Sequence, residues 1–311
     1  MSEFESIPTV SIGLAVYNGE IYLREAIDSL LAQTFTDFEL IISDNASTDA
    51  TADICAEYAA KDTRIHYHRN PTNIGGANNE NLTFRLSRGR YFRLAAHDDR
   101  CAPQLLARCV DVLDANDDVV LCHTGVVSID DNGLETQIVY RFEGTEGNPV
   151  DRLRSLSGRQ HWCEATYGLM RSDILRTTEL QKNYTNSDRV LLCELAMHGP
   201  FHLVPEPLFY KRYHPGNEYK DWRGRMAWFD PALVVSGKST FPNWMELFDY
   251  FRTIGRTPIS TKEQLDCMWV TTKWAFTYRS DLVRDLTSAA KHRFRSGSER
   301  RRRYASEETW R

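Results

Sequence analysis

The chain has 311 residues, and its 38 basic and 43 acidic residues give a formal net charge of −5 at pH 7. This balance argues against general nucleic-acid binding, which usually needs a strongly basic surface. Hydrophobic residues make up 41% and charged residues 26% of the chain, a mixture typical of a globular protein and not of a disordered one. The length allows one large domain or two smaller ones.

The N-terminus and the cysteines predict a cytoplasmic protein. Met1–Ile7 carries Glu3 and Glu5 where a secretory signal peptide has a positively charged region. No apolar run reaches the roughly 20 residues that a membrane-spanning helix needs. The seven cysteines include no CxxC pair, which argues against zinc ribbons and disulfide frameworks and favours reduced thiols.

The first 125 residues alternate between strand-like and helix-like patterns. Thr9–Val16 is a short apolar run rich in β-branched residues, and apolar residues then recur at helical spacing from Ile21 to Gln33. Further strands are predicted at Phe38–Ile42, Ile65–His68, Tyr91–Ala95 and Val119–His123. Further helices are predicted at Thr51–Ala60 and at Pro103–Leu113, and another follows the Asn70–Asn81 loop and runs toward Leu86. Strands separated by helices of this length imply βαβ units and a mainly parallel sheet covered on both faces.

The pattern changes after the fifth predicted strand. A hairpin is predicted around the Asp131-Asn132-Gly133 turn, and the chain should then return to the sheet before another helix. The predicted pieces are the hairpin strands Val126–Asp130 and Thr136–Phe142, the return at Gln160–Met170, the helix Arg189–Met197, extended segments at Leu203–Pro205 and Leu208–Tyr210, and helices from about Trp222 onward.

Asp98-Asp99 is the Asp-Asp pair with the strongest claim to chemistry. The other two such pairs, Asp117-Asp118 and Asp130-Asp131, lie in segments that turn chemistry explains. Asp98 and Asp99 instead end an apolar strand, and ligands of open α/β sheets bind at the carboxyl ends of strands. Two carboxylates there can hold a hard divalent cation that neutralises a diphosphate. The alternative is a solvated turn at the end of the strand.

Asp44 occupies the equivalent place at the end of the second predicted strand. A carboxylate at this position can accept a hydrogen bond from the N3–H group of a uracil ring. The Ser47-Thr48-Asp49 sequence that follows leaves a helix-capping turn as the alternative. Tyr17, which follows the first strand, either contacts the same base or packs against the turn.

These segments in combination resemble family 2 glycosyltransferases of the GT-A fold. The resemblance runs from about Pro8 to Leu121 and resumes more weakly from Gly168 to Asn217. It is carried by Val16-Tyr17-Asn18-Gly19, Ser29–Thr34, Phe38–Asp49, His97-Asp98-Asp99, Gly168–Ser172 and Leu208–His214. It implies a mainly parallel sheet flanked by helices, in a GT-A domain over residues 1–215. Residues 1–125 would form its nucleotide-binding half, residues 126–215 its acceptor half, and residues 216–311 a helical C-terminal region with a basic tail.

The resemblance also implies roles for individual residues on the donor side. Asp44 matches the uracil-binding aspartate of the family, and Ala15 and Tyr17 fall where the base pocket is lined. Asp98 and Asp99 match the family's DxD-type motif, with Asp99 as the metal ligand and Asp98 at the ribose or diphosphate. The expected cofactor is Mn²⁺ or Mg²⁺, and the expected donor is a UDP-sugar.

Two further roles follow from the weaker part of the resemblance. His214 lies in a stretch that often approaches the diphosphate or the metal, so it is a candidate second ligand. Asp188 falls where the family has its catalytic base, although Ser187 replaces the usual Glu before it. Its alternative is an aspartate that favours the dipole at the N-terminus of a helix.

The implied reaction is an inverting, metal-dependent transfer of a sugar from a nucleotide sugar to an acceptor hydroxyl. A catalytically degenerate nucleotide-sugar-binding module is the first alternative, and it gains weight if Asp188 is remote from Asp98-Asp99. A sugar nucleotidyltransferase is the second, but Tyr17-Asn18-Gly19-Glu20 does not supply the Gly-rich, basic loop that such enzymes need.

The acceptor is the less determined partner, with small molecules, glycans and lipid-linked acceptors all open. Indole rings in the C-terminal region either stack on an acceptor or fill a helical core; they belong to Trp222, Trp228, Trp244, Trp269 and Trp274. The basic segment Lys291–Arg303 is either a solvated tail or a contact with the anionic inner face of a membrane.

Overall fold

A computed structural model of the chain describes residues 7–158, 163–215, 226, 228–232 and 241–288. Within them, one nine-stranded sheet has the strand order β3-β2-β1-β4-β8-β6-β9-β5, and β7 pairs with β6. The strands are β1 Val10–Val16, β2 Phe38–Asp44, β3 Ile65–Arg69, β4 Tyr91–Ala96, β5 Arg100–Cys101, β6 Leu121–Ile129, β7 Glu135–Val139, β8 Leu169–Arg171 and β9 Phe201–Arg212. Six of them run in one direction, and the short β5, β7 and β8 run in the other.

Helices cover both faces of this sheet. They are α1 Leu23–Leu31, α2 Thr51–Lys61, α3 Gly76–Leu86, α4 Leu105–Ala115, α5 Pro149–Ser157, α6 Ser172–Thr177, α7 Ser187–His198, α8 Pro242–Arg256 and α9 Thr261–Thr277, with a 3-10 turn at Glu164–Tyr167. Strands β1 and β2 are almost entirely buried, which is why they appear in the sequence as continuous apolar runs. The α/β class with a mainly parallel sheet and C-terminal helices is therefore as predicted.

The region after β4 differs from the prediction in how its strands join. β6 is one strand that overlaps both predicted pieces, Val119–His123 and Val126–Asp130, and β6 and β7 form the expected hairpin. The two short extended pieces predicted near Pro205 belong to one long strand, β9, paired with β6 along its length. The register shifts beside Gly125, opposite Pro205–Pro207, so the two prolines sit at an irregularity where the ladder needs no N–H donor from them.

Two apolar cores lie on opposite faces of the sheet. One contains α1, α2 and α4 packed under β1 and β2. The other is built around α7 and also includes Tyr250 of α8 and Trp274 of α9. The C-terminal helices thus share a core with the second half of the sheet. Among the described residues, no helix combines the length and apolar character that crossing a bilayer demands.

Candidate active site

The predicted donor-side residues lie along one edge of the sheet. Asp44 ends β2 and is in register with Val16 at the end of β1, while Ala15 is in register with Ala96 at the end of β4. Asp98 and Asp99 follow directly. Since neighbouring strands are about 4.8 Å apart, Asp44 and the Asp-Asp pair lie on either side of β1 at the same carboxyl edge.

The loops after β1 and β2 are tied together by side-chain hydrogen bonds. The Asn18 amide donates to Ser47 Oγ over 2.9 Å, and the Thr48 amide donates to Asn18 Oδ1 over 2.9 Å. Asn18 adopts a φ of 51°, which Asn tolerates better than most residues. Tyr17, held at the start of this loop, is 45% exposed, and Ala15 is partly buried. Both therefore border the open end of β1.

Asp44 is fully buried, and its carboxylate already has three partners. Oδ1 accepts from the Ser47 amide over 2.8 Å, and Oδ2 accepts from the Tyr67 hydroxyl over 3.0 Å. The Arg69 Nε atom lies 3.3 Å from Oδ2, on a side chain that is 51% exposed. The carboxylate therefore caps the turn at Ser47, while the residue at the N-cap of α2 is Ala50. Both oxygens of Asp44 are thus engaged, Oδ1 by the Ser47 amide and Oδ2 by Tyr67 and Arg69.

Asp98 and Asp99 are held by the end of β9. The Arg212 amide donates to Asp99 Oδ1 over 2.8 Å, and Arg212 Nε donates to the Asp98 carbonyl over 2.8 Å. The same guanidinium reaches Glu25 Oε2 at 2.6 Å and lies 4.5 Å from the centre of the Tyr22 ring. His214 Nε2 lies 3.2 Å from Asp98 Oδ2. The structure thus places His214 against Asp98, while the Asp99 carboxylate is held by the Arg212 amide.

The electrostatics of the pair favour a cation. Burial, followed by the charge of Asp98, raises the pKa of Asp99 to about 8. The buried Arg93 guanidinium offsets part of this repulsion, and its nitrogens have no hydrogen-bond partner among the described residues. Among all the residues that the structure describes, no group of three or more His, Cys, Asp or Glu side chains is placed to hold a metal ion. Two carboxylates nevertheless suit Mg²⁺ or Mn²⁺, because substrate phosphates and water commonly supply the remaining ligands of such ions.

Asp188 lies in the first turn of α7. The preceding Asn186 has a φ of 72°, so the chain turns sharply into the helix. Asp188 Oδ1 accepts from the backbone amide of the adjacent Arg189 over 2.9 Å, and its position in the first turn is also compatible with the alternative of an aspartate that favours the helix dipole. Its charge also extends beyond the helix, because it contributes to raising the pKa of the buried Cys163 thiol.

Tyr167 connects the two sides of the site. The pKa of its phenol is raised well above the ordinary value by burial and then by the charges of Glu80, Asp99, Asp98 and Asp188. These four carboxylates must therefore lie within Coulombic reach of one hydroxyl group. Asp188 and the Asp98-Asp99 pair consequently border the same region.

Glu80 of α3 is a carboxyl group of this region that the sequence analysis did not single out. Burial raises its pKa to about 7, with a further contribution from the charge of Asp188. Its Oε2 atom accepts from Gln181 Nε2 over 2.6 Å. Arg212 and Tyr167 were missed as well. The quoted segment Leu208–His214 contains Arg212, but no spacing rule connects an arginine on β9 with aspartates more than 100 positions earlier.

The predictions for the C-terminal region have mixed outcomes. Trp274 is buried between Tyr250 and Tyr278, as the core alternative predicts, whereas Trp269 is 59% exposed. Trp222 and the basic segment Lys291–Arg303 lie outside the described residues.

Comparisons with known proteins identify the family and the fold. The sequence profile described as Glycosyl transferase family 2 matches residues 11–178. An uncharacterized glycosyltransferase of Methanocaldococcus jannaschii is 35% identical over 128 residues, which are 40% of this chain and 44% of that protein. The putative glycosyltransferase EpsH of Bacillus subtilis is 32% identical over 117 residues, 37% of this chain and 33% of EpsH. The chain thus spans less than half the length of these two relatives.

Solved structures show the same fold at low sequence identity. S. aureus TarS 1-349 in complex with UDP has a TM-score of 0.62 at 15% identity, covering 86% of this chain and 72% of that one. The mannosyltransferase PcManGT from Pyrobaculum calidifontis, in complex with GDP-Man and Mn²⁺, has a TM-score of 0.56 at 17% identity, covering 92% and 76%. The GT-A-type fold is therefore confirmed.

Proposed function

The chain belongs to glycosyl transferase family 2, and we propose that it transfers a sugar from a UDP-sugar to an acceptor hydroxyl with inversion at the anomeric carbon. The observation that carries the proposal is that the charges of Asp98, Asp99 and Asp188 all contribute to raising the pKa of the buried Tyr167 phenol. Inversion by one displacement needs a leaving-group site and a base on opposite sides of the reacting carbon. Because the two sides border one region, an enzyme is favoured over a degenerate binding module.

The case for UDP rests on the hydrogen-bonding capacity of Asp44. A carboxylate offers about four acceptor positions, and Ser47, Tyr67 and Arg69 use three. One position suits the single N3–H donor of uracil, whereas guanine presents two N–H donors on the same edge. Tyr17, beside Ala15, supplies an exposed ring for the base. The UDP complex of TarS is consistent with this preference. The GDP-Man complex of PcManGT supports a GDP-sugar as the alternative donor.

Asp98 and Asp99 are proposed to bind the donor diphosphate together with Mn²⁺ or Mg²⁺. When bound, the ion would act as a Lewis acid and stabilise negative charge on the departing nucleotide diphosphate. Arg212 holds the Asp98 carbonyl through its guanidinium and the Asp99 carboxylate through its amide, so this segment is positioned before donor and cation arrive. His214 is proposed as a second ligand, and it would exchange its contact with Asp98 for that role.

Asp188 is proposed as the base that removes the proton from the acceptor hydroxyl. Its position at the start of α7 keeps it on a rigid element, and its charge contributes to raising the pKa of Glu80 and of Tyr167. We further propose that residues 1–125 bind the nucleotide, residues 126–215 the acceptor, and residues 216–311 form the C-terminal region. The sugar is of the hexosyl or N-acetylhexosaminyl class, and the protein acts in the cytoplasm.

The test is release of UDP from a panel of UDP-sugars in the presence of Mn²⁺ and candidate acceptors. We expect Asp188→Asn to lower the transfer rate by about 10²- to 10⁴-fold, the usual contribution of a general base. Calorimetry should show unchanged binding of UDP and Mn²⁺ to this variant, and lost binding for Asp99→Asn.

Other outcomes separate the rival functions. Normal transfer by Asp188→Asn would remove this residue from the mechanism. UDP binding with neither transfer nor donor hydrolysis would support the binding module. Formation of a UDP-sugar from UTP and a sugar 1-phosphate would support the nucleotidyltransferase.

A further inference from the structure

Helices α8 and α9 form an outer layer on the C-terminal half of the molecule. α8 packs against α7, α9 packs against α5, and α8 and α9 contact each other. The buried side of α8 includes Leu247 and Tyr250, and that of α9 includes Cys267 and Trp274. Since both helices are buried on the side of α5 and α7, each exposes its opposite side to solvent.

This outward side carries large apolar side chains at helical spacing. Phe276 is 72% exposed and Trp269 is 59% exposed, and Leu265 precedes Trp269 by one turn. Phe248 and Met245 project from α8 one turn apart. We call this set, together with Phe241 at the start of α8, the outer face. Aromatic side chains each carry roughly 150–250 Å², so the outer face exposes several hundred Å², at the upper end for a monomer.

Cations accompany the rings of the outer face. Lys273 Nζ lies 5.2 Å from the Trp269 ring centre, and the Arg279 guanidinium lies 5.0 Å from the Phe276 ring centre. The acidic residues Glu263 and Asp266 share the groove between α9 and α5 with Trp269 and Lys273. Tryptophan, phenylalanine and leucine flanked by lysine and arginine are typical of helices that lie in a membrane interface.

The sequence beyond the helices has the same charge. Residues 291–303 contain seven lysines and arginines and one glutamate. Clusters of four to eight such cations next to an amphipathic helix are typical of proteins that bind anionic lipid. A symmetric pair of copies would instead place the same cations opposite each other, and that repulsion disfavours self-association through this face.

We propose that the outer face of α8 and α9 binds the surface of an anionic lipid bilayer, with Trp269 and Phe276 inserted among the lipids. The cations beside the rings lie at the headgroups, where long basic side chains keep their charge in water while their stems remain apolar. This would hold the enzyme at a membrane surface, where a lipid-linked acceptor is present. The proposal concerns binding only and stands independently of sugar transfer.

The test is co-sedimentation of the full-length chain with vesicles of phosphatidylcholine alone or mixed with phosphatidylglycerol. We expect binding to the mixed vesicles, weakened by added salt because screening reduces attraction to the anionic surface. The double variant Trp269→Ser/Phe276→Ser should bind about tenfold more weakly. Ile138→Ser, which removes an exposed apolar side chain from β7, is the matched control and should bind like the unaltered chain.

Two results would overturn the proposal. Full retention of vesicle binding by the double variant would assign binding to some other part of the chain. A dimer in sedimentation velocity without lipid that the double variant dissociates would make the outer face an interface between copies. Unchanged melting temperatures would show that the variants remain folded.

Discussion

Arg212 is the residue that holds the Asp98-Asp99 segment in place. It is almost completely buried, and it contacts Asp99 through its amide, and the Asp98 carbonyl and Glu25 through its guanidinium. Only a planar group with several fixed donors can make these side-chain contacts at once. The geometry of the proposed diphosphate site therefore depends on a residue that need not touch the donor.

We expect Arg212→Lys to weaken binding of UDP and Mn²⁺ by about tenfold although the positive charge is kept. The lysine cannot reproduce the bonds to both the Asp98 carbonyl and Glu25, and lost charge-assisted hydrogen bonds cost about 1.5–3 kcal/mol each. Calorimetry measures the affinity, and thermal unfolding measures the stability. Arg108→Lys, at an exposed pair with Glu206, serves as control, and unchanged donor affinity in Arg212→Lys would contradict the assigned role.

Glu80 predicts a pH dependence of stability. Its pKa is raised to about 7 in the folded protein, above the ordinary value of 4.5, so the folded state binds more protons than the unfolded state between these values. The contribution of Glu80 to stability is therefore most favourable below about pH 4.5 and is lost as the pH rises to about 7.

We expect Glu80→Gln to remove this loss. At pH 8 the variant should be more stable than the parent, by a difference on the order of 1–3 kcal/mol, while near pH 4.5 the advantage should vanish. Urea unfolding at several pH values measures the difference. An advantage that does not change with pH would show that ionisation of Glu80 is not its cause.

At the scale of elements, the segment that leads into α7 is clamped from two sides. On one side, Gln181 exchanges hydrogen bonds with Asn81 of α3. On the other, the Tyr184 hydroxyl donates to Asp249 Oδ2 over 2.7 Å, and Asn186 Nδ2 donates to Glu246 over 3.1 Å. Asp188 is thus positioned by α8, a helix that lies outside the region of family resemblance.

We expect Asp249→Asn to lower kcat by about tenfold and leave the KM for the donor unchanged, because the clamp acts on Asp188 and not on the nucleotide site. Steady-state UDP release separates the two constants. Asp266→Asn, on the exposed side of α9, should behave like the unaltered enzyme. A rise in the donor KM with constant kcat would show that Asp249 acts on donor binding and would contradict the prediction.

At the scale of the whole molecule, the second core joins the C-terminal helices to the sheet. Trp274 packs between Tyr250 and Tyr278 at ring-centre distances of 5.4 and 5.0 Å, and its Nε1–H donates to the Ser157 carbonyl over 2.9 Å. The indole therefore links α9 both to α8 and to the end of α5. Because these helices share one apolar core with α7, a substitution in this core should destabilise the whole C-terminal half of the protein.

We expect Trp274→Ala to lower the free energy of unfolding by about 3–5 kcal/mol, the usual result of removing a buried aromatic side chain. Denaturant unfolding followed by circular dichroism measures the loss. Trp228→Ala, which removes a partly exposed indole, should cost less. An unchanged midpoint for Trp274→Ala would show that α9 contributes little to the stability of the folded chain.

Apart from the two-residue strand β5, the sequence by itself determined the order of strands and helices in the first 125 residues and the positions of Asp44, Asp98 and Asp99 at or just after strand ends. Such features are local, because apolar periodicity and polar residues after a strand are visible within a short window. The resemblance to family 2 glycosyltransferases then predicted the GT-A fold.

Tertiary structure alone decided how distant segments meet. Two extended pieces form one strand, β9, which pairs with β6. Arg212 binds Asp98 and Asp99, and the charges of Glu80 and Asp188 act on Tyr167. Each of these contacts joins residues that are far apart in the chain. Their geometry depends on strand pairing and helix packing, which bring together side chains whose spacing in the sequence carries no periodic signal.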